Sequence, residues 1–296
     1  MRAIWSFWAK PEQYRRVWPN QRHHLLAWAL SLGTARRQYP HTTLYTDSPG
    51  AKLLIDAVGL EFENVSTALD ALEASSPDWW VLGKLHTYRL QTQPFVHLDN
   101  DVFLWRRLPT RLEQAQVLAQ NPEDFFLGSS FYMPEKFDQA LNERGGWTPE
   151  EWKWYGLIGP RRRAVCCGIF GGNNLEFIQH YANTAIALAE HPLNQSAWAC
   201  LPDKRNDNIL FEQYLLSACL NYHSHNPASR FHDIDIRYLF SSWDEAFQAE
   251  VAAQLGYTHM IGAAKRNLQL AERLERRVER DYPEAYERVI SKTSSP

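Results

Sequence analysis

The sequence has no long hydrophobic run, little cysteine and no excess of positive charge. No apolar stretch among its 296 residues approaches the roughly 18 that a transmembrane helix requires, so we expect no membrane span. A net charge of −3 does not suggest a nucleic-acid-binding surface, so we expect no nucleic-acid partner. The four cysteines show no Cys-x-x-Cys spacing and no secreted disulfide pattern, which favours a cytoplasmic location. Residues 1–8 are too few and too aromatic for a signal peptide.

Glycine-rich phosphate loops, internal repeats and low-complexity tracts are also missing. Neither Gly-x-x-x-x-Gly-Lys-Ser/Thr nor Gly-x-Gly-x-x-Gly occurs in the chain, which argues against the nucleotide-binding proteins built on those loops. No stretch has the composition of a linker. The sequence therefore predicts a single domain over residues 1–296, with a C-terminal helical extension over residues 265–292.

Strands and helices alternate in the first third of the chain. We predict strands over residues 3–7, 42–46 and 61–65, and helices over residues 21–39, 51–58 and 78–93. This alternation is typical of an α/β protein with a mainly parallel sheet flanked by helices. Ligands of such sheets bind beyond the carboxyl ends of the strands.

The rest of the chain is less regular. We predict a strand over residues 164–170, a helix from there to about residue 190 and another over residues 207–220. Residues 231–240 alternate like an antiparallel strand, and residues 242–256 begin with serine and end with glycine, as helices often do. The sequence 148–151 has the form of a helix capping box.

The most informative segment is the apolar stretch of residues 95–104, which contains Asp99 and Asp101. We predict a buried strand, on which these carboxylates share one face while Asn100 points to the other. Two buried carboxylates repel unless a cation lies between them, and such pairs suit Mg²⁺ or Mn²⁺, which also bind nucleotide phosphates. The alternative is a strand end whose acids cap a helix or pair with an arginine.

A second motif, His259-x-x-Gly262-x-x-Lys265, lies near the C-terminus. A neutral imidazole can be a third metal ligand beside two carboxylates. Glycine lets the backbone approach a pyrophosphate, and the lysine supplies a point charge. The alternative is a loop histidine, a glycine at a helix start and a surface lysine.

Together, the Asp-x-Asp segment and this downstream motif resemble the GT-A glycosyltransferases. They are most similar to family 8, the glycogenin and lipopolysaccharide galactosyltransferase group, or to a divergent neighbouring family. The resemblance implies a GT-A fold, a twisted and mainly parallel sheet with a Rossmann-like nucleotide-binding core. It also implies that Asp99, Asp101 and His259 bind Mn²⁺ or Mg²⁺, and that Gly262 and Lys265 hold the donor diphosphate.

The resemblance assigns further residues to the donor. Asn100 is expected near the ribose or the sugar. Lys84, or else Arg89, is expected to contact the donor from the preceding helix; the alternative is a solvated helix charge. The family's Asp-x-x-Tyr after the first strand is absent, so the segment ending in Trp8 has to bind the base by stacking or backbone contacts.

Two later segments match the family in position. In the first, Cys166 replaces the family's asparagine, and the residues expected to line the transferred sugar are Cys167, Gly168, Gly171 and Gly172. The alternative for the cysteines is that they are buried small hydrophobic residues. In the second, the acidic and amide residues expected near the reacting sugar and acceptor are Asp207, Asn208, Glu212 and Gln213. The alternative is helix capping by Asn206 or Asp207 and an exposed glutamate.

The resemblance implies a metal-dependent glycosyltransferase that uses a nucleotide sugar, with UDP-linked donors favoured, and an acceptor that is a glycan, a lipid-linked glycan or a protein. It favours retention of configuration, whereas inversion would need a base such as Glu212 or Asp207. The alternatives are a metal-dependent nucleotidyl- or phosphotransferase, and a binding module that has lost catalysis. The C-terminal helix either packs onto the domain or lies on an anionic membrane at the inner face. The oligomeric state stays open.

Overall fold

The computed structural model describes residues 1–14, 18–128, 131–202, 204 and 206–294. In chain order, the strands are β1 (Arg2–Phe7), β2 (Thr42–Thr46), β3 (Asn64–Ser66), β4 (Phe95–Leu98), β5 (Val102–Leu104), β6 (Val117–Phe126), β7 (Arg161–Gly172), β8 (Ile236–Tyr238) and β9 (Tyr257–His259). The α-helices are α1 (Ala9–Tyr14), α2 (Gln21–Arg36), α3 (Ser48–Ala51), α4 (Leu82–Arg89), α5 (Thr110–Glu113), α6 (Pro134–Arg144), α7 (Glu150–Leu157), α8 (Leu175–Glu190), α9 (Gln195–Ala199), α10 (Leu215–Ser224), α11 (Trp243–Ala246), α12 (Ala249–Leu255), α13 (Leu268–Asp281) and α14 (Pro283–Ser294). Short 3₁₀ segments cover Ala68–Leu72, Pro192–Asn194 and Gly262–Arg266, and π-helical segments cover Lys52–Ala57 and Leu210–Tyr214.

The chain divides into two compact units. Unit 1 consists of Met1–Pro77, Phe95–Pro109 and Gln248–Pro296, and unit 2 consists of Asp78–Pro94 and Thr110–Phe247. The single domain over residues 1–296 stays a prediction.

Unit 1 is built on four parallel strands in the order β3-β2-β1-β4. The chain runs outward from β1 through β2 to β3 and then returns to place β4 on the other side of β1. This reversal makes a topological switch point between β1 and β4, where open α/β sheets bind ligands beyond the carboxyl ends of the strands. A separate antiparallel pair, β5 with β9, follows directly after β4.

The C-terminal helices pack onto unit 1. Both α13 and α14 contact α2, and the apolar side of α13 is buried through Ala271, Leu274 and Val278. Glu275 of α13 receives a hydrogen bond at 3.4 Å from Arg22 of α2. Of the two arrangements expected for this extension, packing onto the protein is therefore the one observed.

In unit 2, β6 lies between β7, which is antiparallel to it, and β8, which is parallel to it. Helices cover these strands, and their aromatic side chains form much of the core. Trp79, Phe137 and Phe211 pack edge-on or tilted with ring centroids 4.9 to 6.2 Å apart. Burial of such rings is a large part of the hydrophobic stabilisation of a domain.

The predicted α/β class with mainly parallel strands flanked by helices is confirmed. Four of the strand pairs described here in the two units are parallel, and the antiparallel pairs are β6 with β7 and β5 with β9. No helix among the described residues is both long enough and apolar enough to cross a membrane.

Several local predictions are wrong, and residues 242–256 form two helices, α11 and α12, instead of one. Of residues 231–240 only β8 is a strand, because Ile234 N–H bonds back to the Phe231 carbonyl in a turn, and β8 runs parallel to β6 rather than antiparallel. The capping box at residues 148–151 does not form. Helix α7 begins at Glu150 with Pro149 at the cap position and no side-chain cap, and Glu151 is buried against histidines of other helices.

Candidate functional site

Asp99 and Asp101 lie in a tight turn between β4 and β5, not within a continuous strand as predicted. Strand β4 ends at Leu98, and Val102 N–H bonds to the Asp99 carbonyl at 3.0 Å to close the turn. The strand alternation used to place the two carboxylates on one face therefore does not apply. The turn nevertheless keeps both acids at the carboxyl end of β4, beside the topological switch point.

The antiparallel pairing of β5 with β9 brings the distant His259 to this turn. Val102 pairs with His259, and Met260 N–H donates to the Asp101 carbonyl at 3.0 Å. Gly256 sets the start of β9, because it caps α12 with a φ of +63° and its carbonyl accepts from Trp105 N–H at 2.8 Å. A motif that is separated in sequence thus becomes one compact group.

We call Asp99, Asp101 and His259 the carboxylate–histidine group. One potential ligand atom from each lies within 4.8 Å of the others. His259 Nε2 is 3.5 Å from Asp101 Oδ1, and Lys265 Nζ is 2.5 Å from Asp101 Oδ2. The Asp101 side chain is 2 % exposed and that of Lys265 is 15 % exposed, so this ion pair is largely shielded from water.

Opposing effects act on the Asp101 carboxyl. Burial alone raises its pKa, but the charge of Lys265 and the nearby His259 outweigh burial and hold the pKa well below its usual range. Asp101 is therefore ionised throughout the physiological range. An ionised carboxylate is what a metal ligand requires.

Asp99 is held from both its side chain and its backbone. His97 is 1 % exposed, its Nε2 lies 2.9 Å from Ser6 Oγ of β1, and its Nδ1 lies 3.8 Å from Asp99 Oδ1. Ser31 of α2 donates to the Asp99 carbonyl at 3.3 Å and accepts from Trp5 Nε1 at 2.9 Å. We did not predict His97 as a site residue, although its spacing of two residues from Asp99 on a strand was a signal that could have revealed it.

The donor set of the carboxylate–histidine group fits a divalent cation. Two carboxylates and one imidazole are ligands that Mn²⁺ and Mg²⁺ accept, and their oxygen-rich character suits hard cations. The amide Nδ2 of Asn100, between the two acids, is buried and has no hydrogen-bond partner in the structure. A buried donor without a partner is rare in native proteins, and a water molecule, an ion or a ligand can complete it.

Gly262 begins the 3₁₀ segment that carries Lys265. Its φ is +51°, in the left-handed region that favours glycine, and a Cβ built there would have no heavy atom within 4 Å. The residue is exposed, so the backbone at this point is open to approach by a ligand. The lysine side chain of the same segment already points to the carboxylate–histidine group.

A cavity of about 230 Å³ lies at the carboxyl ends of β1 and β2 in unit 1. Its lining includes Phe7, Ala9, Trp18 and His24. Trp8, predicted to contact the base, is 6 % exposed and is not among the lining residues, whereas its neighbours on both sides are. Aromatic walls of this kind suit a planar ring system.

Asp47, at the end of β2, fixes the chain beside this cavity. Its carboxylate accepts from Ala9 N–H at 3.1 Å and from Gly50 N–H at 2.9 Å. Burial raises its pKa, and these backbone bonds only partly oppose the effect. The residue thus holds the start of α1 and the turn after β2 together.

In unit 2, Lys84 and Glu212 form a buried ion pair with Nζ 2.6 Å from Oε1. The side chains are 10 % and 1 % exposed. Tyr88 donates its hydroxyl to Glu212 at 3.1 Å, and Lys84 Nζ donates to the Cys167 carbonyl at 3.4 Å. The structure therefore brings three predicted residues together, with Glu212 engaged by Lys84 and Tyr88.

The other predicted residues of unit 2 have structural partners as well. Gln213 accepts from the Tyr132 hydroxyl, which also donates to Glu123. Asp207 is 5 % exposed. The amide of Asn208 accepts from Val81 N–H at 3.1 Å and donates to the Asp78 carbonyl at 2.9 Å, which shortens the predicted helix over residues 78–93 to α4.

The glycines of β7 are all buried. Gly172 has a φ of +138°, and a Cβ there would meet the Gln116 carbonyl oxygen at 2.2 Å, so the close approach of two backbones requires glycine. Cys166 and Cys167 are buried, and none of the four cysteines, all of them among the described residues, forms a disulfide bond. The roles of Cys167, Gly168, Gly171 and Gly172 in lining a sugar stay predictions.

Comparisons with known proteins give a family but no curated relative. A family model described as "Family of unknown function (DUF6734)" matches residues 1–292. No curated protein sequence matches the chain significantly. Among solved structures, mouse xyloside xylosyltransferase 1 in its apo form is similar at 15% identity and a TM-score of 0.33, over 87% of this chain and 96% of that chain.

Proposed function

The chain belongs to the family of unknown function DUF6734, and we propose that it is a metal-dependent glycosyltransferase that uses a nucleotide-sugar donor. The observation that carries this proposal is the carboxylate–histidine group at the switch point of the unit 1 sheet. Its three side chains come from two distant segments, and Lys265 is added from a third element. The same residues carry the resemblance to GT-A enzymes.

In this proposal, Asp99, Asp101 and His259 hold Mn²⁺ or Mg²⁺. The metal, when bound, stabilises the charge that develops on the departing nucleoside diphosphate. The ammonium group of Lys265 supports the same charge as a point charge on a flexible stem. Asn100 donates its free amide hydrogens to the ribose or the sugar, and the open backbone at Gly262 lets the diphosphate approach.

The cavity beside Phe7, Trp18 and His24 is our proposed site for the base. It lies at the carboxyl edge of the same parallel sheet, where nucleotides bind in open α/β folds. Aromatic side chains stack on any base, so the cavity does not by itself decide between uracil and the others. We retain a UDP-linked donor from the sequence resemblance.

The surroundings of Glu212 bear on the stereochemistry of transfer. A general base must reach the acceptor hydroxyl within hydrogen-bonding distance. Glu212 is 1 % exposed and ion-paired to Lys84, which argues against a free base at that position. This supports transfer with retention of configuration, in which the donor phosphate takes the proton. The acceptor we propose is a glycan, a lipid-linked glycan or a protein.

The test is thermal unfolding of the full chain with UDP, GDP, CMP or ADP, each with and without Mn²⁺. We expect one nucleotide to raise Tm only when the metal is present. Asp101→Asn should lose this shift, and Asp56→Asn, at an exposed position of the same unit, should retain it. Equal shifts in both variants would exclude the carboxylate–histidine group as the metal site.

A second step separates the enzyme classes. The nucleotide sugar of the stabilising nucleotide is incubated with protein and Mn²⁺, and the products are identified by mass spectrometry. Release of a nucleoside diphosphate, or of CMP from a CMP-sugar, supports glycosyl transfer, whereas release of pyrophosphate in a parallel incubation with the nucleoside triphosphate identifies a nucleotidyltransferase. Binding without turnover of any donor or acceptor identifies a binding module.

A further inference from the structure

A second group of metal-ligating side chains lies in unit 2, on three different helices. Glu151 is on α7, His180 on α8 and His223 on α10. One potential ligand atom from each lies within 4.8 Å of the others. His180 Nε2 is 2.9 Å from both Glu151 Oε1 and His223 Nε2, and His223 Nε2 is 3.5 Å from Glu151 Oε1. The proposed glycosyl transfer uses none of these residues.

Protons alone leave lone pairs facing each other in this group. A carboxylate oxygen only accepts hydrogen bonds, whereas each imidazole Nε2 either donates or accepts. If both Nε2 atoms carry hydrogen, the two imidazoles face each other donor to donor. If either Nε2 lacks hydrogen, its lone pair faces the carboxylate oxygen. If only His180 Nε2 carries hydrogen, it shares that hydrogen between Glu151 Oε1 and His223 Nε2, and the lone pairs of those two atoms face each other at 3.5 Å.

A cation removes this conflict, because all three atoms then present lone pairs to it. In tetrahedral zinc sites with ligand bonds of 2.0–2.1 Å, neighbouring ligand atoms are about 3.3 Å apart. The observed separations of 2.9, 2.9 and 3.5 Å lie on both sides of that spacing. The three donor atoms are thus already arranged as one face of a coordination tetrahedron.

The surroundings have the second layer that metal-binding histidines require. His223 Nδ1 is 2.7 Å from Ser229 Oγ, which can accept its hydrogen and so leave the Nε2 lone pair for a metal. Phe231 packs against both imidazoles with ring centroids 5.3 and 5.4 Å away. The side chains of Glu151 and His223 are each 9 % exposed and that of His180 is 28 % exposed, so an ion can enter from the His180 side.

We propose that Glu151, His180 and His223 bind a divalent transition-metal ion of the zinc type, which ties α7, α8 and α10 together and keeps its fourth position open towards solvent. Two imidazoles and one carboxylate suit Zn²⁺ better than Mg²⁺ or Ca²⁺, which prefer oxygen. The proposal is independent of the proposed transferase activity.

The test is Zn²⁺ binding to the chelator-treated full chain, measured by competition with a chromophoric chelator. Glu151→Gln and His223→Gln should each weaken binding at least 100-fold, and Ser229→Ala about tenfold, as expected when a ligand's hydrogen-bond partner is removed. His232→Gln, at an exposed position of the same unit, should leave the affinity unchanged. Ligand variants that bind zinc as tightly as His232→Gln would overturn the proposal.

X-ray absorption decides the matter if the ligand variants do not fold. Asp101→Asn protein, in which the carboxylate–histidine group is impaired, is loaded with one equivalent of Zn²⁺. We expect two imidazoles in the zinc shell, at the 2.0–2.1 Å that Zn–N bonds show. One imidazole or none would refute the assignment. Zinc should also raise Tm of this protein, because it binds only the folded state.

Discussion

Lys265→Met tests how the buried Asp101 carboxylate is neutralised. In the structure, the ammonium of Lys265 lies 2.5 Å from Asp101 Oδ2, and the carboxylate is 2 % exposed. Removing one partner of a buried ion pair typically destabilises a protein by about 3–5 kcal/mol, because a buried charge is left uncompensated. His259 remains close to Asp101 and Lys265 itself is 15 % exposed, so we expect the lower end, about 3 kcal/mol.

This loss is measurable by calorimetry. A chain of this size loses about 2 °C of Tm for each kcal/mol, so metal-free Lys265→Met should unfold roughly 6 °C below the wild type. Methionine has nearly the length of the lysine stem, so the loss reflects charge more than packing. Lys292→Met, at an exposed position of α14, is the matched control and should unfold with the wild type.

Mn²⁺ then gives the decisive comparison. The cation replaces the missing positive charge at Asp101, so it should stabilise Lys265→Met more than the wild type, in which it competes with the ammonium. At a metal concentration 100 times Kd, binding alone contributes about 2.7 kcal/mol, which nearly restores the variant. An unchanged Tm without metal, or equal Mn²⁺ shifts in both proteins, would refute the reasoning.

Three further predictions address stability. Burial and a neighbouring arginine lower the pKa of His86 from 6.5 to about 4. The free energy of unfolding of the wild type should therefore fall between pH 6.5 and pH 4, where only the unfolded state gains the proton. Urea denaturation of His86→Gln should show a smaller fall over this range, by at most about 3 kcal/mol. Gly172→Ala should destabilise the protein by about 2 kcal/mol or more in the same assay. The control is Gly159→Ala, which should destabilise less, because the φ of Gly159 is also positive at +112° but a Cβ there would meet nothing within 4 Å. Lys84→Met should lower stability by about 3 kcal/mol, and the double variant with Glu212→Gln should lose less than the sum of the single changes; additive losses would mean that the pair is not coupled.

Local signals predicted the unit 1 sheet well because its strands are short apolar runs bounded by turns and helices. The first two strands have the predicted cores, and Gly256 ends its helix as expected. Prediction failed where distant side chains replace local hydrogen bonds. The side chain of Asn208 bonds the Val81 N–H and the Asp78 carbonyl ahead of α4, so that helix is shorter than its sequence suggests.

The carboxylate–histidine group of unit 1 could be predicted because each of its parts lies in a short motif. Asp99 and Asp101 are two residues apart, and His259 and Lys265 share a second motif. The contacts that hold Asp99 in place could not be predicted, since the hydrogen bond from Ser31 to Asp99 depends on how α2 packs over the sheet. The reasoning for a strand was wrong at the turn, yet the turn keeps the two carboxylates together, and the pairing of β5 with β9 brings His259 to them.

Glu151 shows the opposite case, in which a local motif hides a distant role. The capping box predicted that it would bond to the backbone of its own helix, but it meets His180 and His223, which come from helices much later in the chain. The donor sets of the two groups also differ. The unit 1 group offers mostly oxygen with a lysine close by, which favours a hard cation that is exchanged together with a phosphate ligand. The unit 2 group offers mostly imidazole nitrogen, which favours a tightly held transition metal. A chain with both should therefore respond to Mn²⁺ and Zn²⁺ through separate residues, each sensitive to variants in its own group.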